Sequence, residues 1–78
     1  MSQEQFTAIL PYISADLISI IVNKKGISEE DAILKLYTSK LYAALEQEDT
    51  KLWQYSTQML YSLLEQEEQT GSIRYPDV

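Results

Sequence analysis

Two residue types that carry much of protein chemistry are missing from this chain: it has no cysteine and no histidine. Without cysteine there is no disulfide, no thiolate nucleophile and no cysteine-type zinc site. Without histidine the commonest general base and the commonest metal ligand are gone. Glycine and proline are also scarce, two of each in 78 residues. So few interruptions favour long regular elements over a loop-rich fold. The apolar run over residues 17–22 is too short to span a bilayer, and Asp16 precedes it where a targeting segment would carry basic residues. These absences read as a cytoplasmic protein with no membrane segment, no cofactor and no catalytic role.

What remains is enough for one domain. Apolar residues make up 45% of the chain, a globular composition. A domain of this size buries only ~60% of the surface its unfolded chain exposes, so it needs very good helix packing or a partner chain. Net charge is −6 and unevenly spread. The first 45 residues carry four lysines against five carboxylates, a net of −1, and the rest carry two cations against seven carboxylates, a net of −5. That second half repels a polyanion such as DNA or RNA and attracts a basic protein.

Three helical segments and a tail follow from the pattern. Ser2 and Gln5 form a capping box at the start of the first, which runs to about Asn23. Phe6, Ile9, Leu10, Ile13, Leu17, Ile20 and Ile21 recur at helical spacing, and Ile18 and Val22 widen the stripe beyond what one neighbouring helix covers. Pro11 lies inside this pattern and predicts a kink, or a separate short helix over residues 2–10. Gly26 stops the segment, with Lys24 and Lys25 at its negative dipole end. Ser28 caps the second, with Glu29, Glu30 and Asp31 in its first turn and an expected end near Gln47. Asp49 or Thr50 is expected to cap the third, which runs to about Gln69 before Gly71. Short connections make consecutive helices antiparallel. The expected fold is all-α: a small antiparallel three-helix bundle in a single domain over residues 1–71, with a C-terminal tail over 72–78.

Carboxylates are the first candidates for chemistry. Glu46, Glu48 and Asp49 cluster at one turn, and Glu65, Glu67 and Glu68 near the end of the last helix. Paired carboxylates can move protons or hold a hard cation. Here no EF-hand spacing or Glu-x-x-His pair fixes their geometry. A solvated acidic face is the plain reading, and a docking surface for a basic partner the functional one. Glu67 and Glu68 oppose the helix dipole at a C-terminus, which favours a role beyond local helix stability.

Aromatic residues come next. Six tyrosines and one tryptophan are many for this length. Such side chains fill core rims, and they are also enriched at protein interfaces. Tyr37, Tyr42, Trp53, Tyr55 and Tyr61 are the interface candidates. The hydroxyls of Ser39, Ser56, Thr57 and Ser62 have no base to activate them. The turn of Gly26, Ile27 and Ser28 resembles a helix-turn-helix connection, which gives a second reading, a nucleic-acid-associated regulator. A recognition helix opening with three carboxylates would point them at the phosphates, which weighs against it.

From Gly26 onward the chain resembles a group of small, uncharacterised bacterial all-helical proteins of unknown function, some of them encoded beside toxin–antitoxin-like genes. The likeness rests on Gly26, Ile27, Ser28, Glu29 and Glu30, on Ser39 and Tyr42, on Thr50, Lys51, Leu52 and Trp53, and on Ser56, Leu60, Glu67, Thr70, Gly71 and Pro76. It implies a bacterial protein with a regulatory, antitoxin-like role and transfers no functional residue. The first partner expected is a second copy of the chain, in a homodimer, and the next is a basic protein.

Overall fold

The computed structural model describes residues 2–73. They are all-α, with no strand among them. The order is α1 (Gln3–Lys25), α2 (Glu29–Tyr37), α3 (Lys40–Leu45), two 3-10 turns (Glu48–Thr50 and Leu52–Gln54) and α4 (Thr57–Thr70).

Helix α1 begins on the expected capping box. The Ser2 hydroxyl accepts the Gln5 amide at 3.2 Å, and the Gln5 side chain accepts the Ser2 amide at 3.2 Å. It ends at Gly26, whose φ of 65° is left-handed and whose N–H donates to the Val22 carbonyl at 2.9 Å. The helix is continuous through Pro11, so the separate N-terminal helix anticipated before Pro11 does not form. Pro11 is exposed. Water can therefore take the place of the donor that the ring removes.

The second expected helix is two. Ser28 caps α2 by accepting the Asp31 amide at 3.1 Å. The helix then stops at Thr38 and Ser39. Thr38 donates its hydroxyl to the Leu34 carbonyl at 2.7 Å, and Ser39 donates to that of Leu36 at 2.5 Å. The Ser39 oxygen then accepts the Tyr42 amide at 3.1 Å and starts α3. Both hydroxyls give the backbone a local alternative to continuing the helix.

The third expected helix starts later. Residues 48–54 form the two 3-10 turns, with Lys51 between them at φ 60°. Helix α4 is capped by Ser56, which accepts the Met59 amide at 3.1 Å, rather than by Asp49 or Thr50. It closes at Gly71, φ 75°. Of the expected tail, residues 74–78 lie outside the described residues; Ile73 packs against the core.

The core joins Leu17 and Ile21 of α1, Ala32 and Leu36 of α2, Leu41 and Leu45 of α3, Leu52, and Leu60, Tyr61, Leu63 and Leu64 of α4. Helix α1 packs on α2 and α4, and α3 on α4. The Thr57 hydroxyl donates to Asp16 at 2.6 Å, and Lys25 pairs with Glu68 at 2.9 Å. Position rises in both helices between these contacts, so α1 and α4 run in the same direction.

Candidate functional site

Three of the six acidic candidates hold backbone amides or lysines inside the fold. Glu67 reaches from α4 to the start of α3. Its Oε2 accepts the Lys40 amide at 2.8 Å and its Oε1 the Leu41 amide at 3.0 Å. These are two of the donors a helix N-terminus leaves without a partner. Ser39 takes a third, and the Lys40 ammonium donates to the Gly71 carbonyl at 3.1 Å.

Glu68 holds the other two helices. One carboxylate oxygen pairs with Lys25 of α1 at 2.9 Å and the other with Lys35 of α2. Burial pushes the Glu68 carboxyl up, but the two ammonium groups together outweigh it and hold it below its ordinary value. The hydrogen bond to Glu68 raises the Lys25 ammonium in turn. Two adjacent carboxylates at the end of α4 thus bind α1, α2 and α3 at one end of the molecule.

Glu48 is the third. Its carboxylate pairs with Lys51 at 2.9 Å, and that hydrogen bond lowers its pKa. Its carbonyl accepts the Trp53 indole N–H at 3.1 Å, and the Lys51 ammonium lies 5.9 Å from the Trp53 ring centre. Trp53 thereby pins the two 3-10 turns. Glu46 and Asp49 are exposed and make no ion pair among the described residues. Glu65 is half-buried beside the Tyr61 hydroxyl. No three acidic side chains among the described residues are grouped so as to hold a metal ion.

The aromatic candidates divide in the same way. Tyr61 is a core residue, 6% exposed; burial raises its phenol, and the hydrogen bond to Glu65 adds to the effect. Tyr55 and Trp53 are half-buried. Tyr37 and Tyr42 meet, ring centres 4.7 Å apart and planes tilted by 47°. The Ser14 hydroxyl of α1 donates to the Leu10 carbonyl at 3.0 Å, and the Tyr42 hydroxyl is hydrogen-bonded to the Ser14 oxygen at 3.3 Å. Tyr37 is 50% exposed, and Leu34, one turn earlier in α2, is 64% exposed.

Helix α1 presents the other open surface. Tyr12 is 78% exposed. Two shallow grooves meet along Ala15 and Ser19. One continues over Tyr12, Ile13 and Thr57, and the other over Ile18, Val22 and Asn23. Ala15 and Ser19 are exposed and small, so a second helix could approach the α1 backbone closely there. Among the described residues α1 is also the one helix long and apolar enough to cross a membrane by length and composition. The wide stripe through Ile18 and Val22 is legible in apolar spacing, whereas Ala15 and Ser19 are not, since that spacing gives no weight to small residues.

No family model, curated protein or solved structure matches the chain.

Proposed function

We propose that this protein is a protein–protein interaction module, and that its first partner is a second copy of itself joined along the outward face of α1. The observation that carries the reading is the open face of α1 along Tyr12, Ala15 and Ser19, on a helix that runs the length of the molecule. At 1.5 Å per residue, its 23 residues extend ~34 Å, against a longest molecular dimension of 35 Å. Phe6, Ser14, Leu17 and Ile21 are buried, while Tyr12, Ala15 and Ser19 face outward. A partner helix laid along that face would cover Tyr12 and Ala15 and the open edges of the half-buried Ile18 and Val22. It would also supply the staple that a small domain without disulfides lacks.

Covering by a second chain is favoured over insertion in a bilayer. Leu17 and Ile21 belong to the same core as Leu36, Leu41 and Leu60. Lipid insertion of α1 would strip Leu17 and Ile21 from Leu36, Leu41 and Leu60 and leave those partners open to water, at ~1.5–3 kcal/mol for each fully uncovered side chain. Within the copy, we infer an up-down-up arrangement of α1, of α2 with α3, and of α4, each antiparallel to the next. The common direction of α1 and α4 supports it. The acidic second half would serve a different, basic partner, in a regulatory role of the antitoxin kind.

Light scattering on the native chain, over a dilution series, tests the self-association. The expected mass is twice 9.0 kDa at the concentrated end and falls on dilution. A mass of 9.0 kDa at every concentration overturns the reading.

A further inference from the structure

A second exposed surface differs from the α1 face in place and in charge. It consists of Leu34 and Tyr37 of α2 with Tyr42 of α3. The Tyr37 ring rests on Tyr42, 4.7 Å between centres, and the Tyr42 hydroxyl is held by Ser14. Tyr37 therefore projects from a fixed base while half its surface stays open, and Leu34 beside it is 64% exposed. A rigid tyrosine next to an open leucine supplies apolar anchor area that loses little entropy on binding.

Three carboxylates flank this surface. Glu30 and Asp31 lie one turn before Leu34, and Glu46 is close enough to Tyr37 to act on its phenol. None of the three carboxylates makes an ion pair among the described residues. The neighbouring lysines are committed elsewhere: Lys35 to Glu68, and Lys40 to the Gly71 carbonyl. An apolar centre with an unneutralised acidic rim complements an apolar segment that carries lysine or arginine at its edges. A guanidinium or ammonium could also lie on the open Tyr37 face. A second copy would bring the same acidic rim to this surface, and a nucleic acid would bring phosphates; both are repelled.

We propose that Leu34, Tyr37 and Tyr42, rimmed by Glu30, Asp31 and Glu46, form the docking surface for a basic amphipathic helix of another protein. The proposal rests on the interaction-module reading and moves the basic partner off the end of α4, where Glu67 and Glu68 are engaged within the chain.

The test uses the full chain and a fluorescently labelled peptide of leucine and lysine patterned as an amphipathic helix. A leucine–glutamate peptide of the same pattern is the control. Anisotropy should show binding of the first and none of the second. Leu34→Ser with Tyr37→Ser should weaken binding about tenfold or more, the loss of a hot-spot pair. Glu30→Gln with Glu46→Gln leaves the apolar centre intact and should weaken it several-fold at low salt. Ala15→Glu, on the α1 face, should leave peptide affinity unchanged, which separates this surface from the self-association face. Circular dichroism on each variant confirms that it is folded. No binding of the leucine–lysine peptide, equal binding of the control peptide, or undiminished affinity in both double variants overturns the proposal. A dimer that dissociates on Leu34→Ser with Tyr37→Ser, with no peptide bound, would assign the surface to a second copy instead and also overturn it.

Discussion

Glu67 and Leu41 are 26 positions apart, yet the carboxylate of the first accepts the amide of the second at 3.0 Å. With the Lys40 amide on its other oxygen, Glu67 caps a helix to which it does not belong. Helix α3 has only six residues, too few to hold its own first turn. Glu67→Ala should cost about 1–2 kcal/mol, in the range of a lost helix cap with charged acceptors. Glu67→Gln keeps one acceptor oxygen and should cost less. Urea unfolding measures both, and equal stability of all three proteins would show that α3 does not depend on this contact.

The Glu68 junction predicts an acid limit to stability. The Glu68 carboxyl is lowered in the folded chain from an ordinary value of 4.5. Its contribution is therefore present above about pH 4.5 and is lost as pH falls through the folded value. Lys25 is raised above 10.5, so its share is complete below that pH and lost only as pH climbs through the folded value. Between the two limits the pair contributes a constant amount. At neutral pH, Glu68→Gln should cost roughly 0.5–1 kcal/mol, as partly exposed ion pairs do. It should also lose less stability than the native protein between pH 6 and pH 3. An unchanged acid dependence would place the acid sensitivity elsewhere.

Gly26 is a purely conformational requirement. Its φ is 65°, and a Cβ built there would meet nothing within 4 Å. Gly26→Ala should therefore cost about 1 kcal/mol through the left-handed backbone alone, and Gly26→Asn less, because asparagine tolerates that region. Thermal unfolding of the two variants should rank them native, Asn, Ala. A reversed order would mean that the α1 stop is set by tertiary contacts.

The partly buried hydroxyl pair of Ser14 and Tyr42 should contribute modestly to stability. Tyr42→Phe removes the phenol hydroxyl 3.3 Å from Ser14 but leaves Ser14 bonded to the Leu10 carbonyl. The expected loss is ~0.5–1 kcal/mol, since no buried donor is stranded. A loss several times larger in urea unfolding would mean that the phenol also positions Tyr37 and Glu46.

The all-helical class and most of the punctuation were legible in the residues. The Ser2–Gln5 capping box, the Gly26 stop, the Ser28 start and the Gly71 stop are local chemistry, and each occurs where the pattern puts it. The break at Thr38 and Ser39 was harder, because Leu36, Leu41 and Leu45 continue an apolar face across it. The step of five from Leu36 to Leu41, just after two hydroxyl residues, was the available sign. Lys51 in the left-handed region has no signature in residue type. The partners of Glu67 and Glu68 could not be read at all. Sequence shows two carboxylates opposing a helix dipole, and only the fold brings Lys25, Lys35 and the α3 amides to them. Tyr61 entered the interface candidates for a related reason, since tyrosine spacing does not distinguish a core rim from an open face.

The most direct measurement of the central claim is sedimentation equilibrium of Ala15→Glu beside the native chain. Ala15 is exposed, so a carboxylate there leaves the monomer core untouched, while two such charges would meet in a paired α1 face. The account predicts that the native protein associates to twice 9.0 kDa and that Ala15→Glu stays at 9.0 kDa with its helix content intact. A native protein that remains monomeric, or a variant that associates as strongly as the native chain, would contradict it.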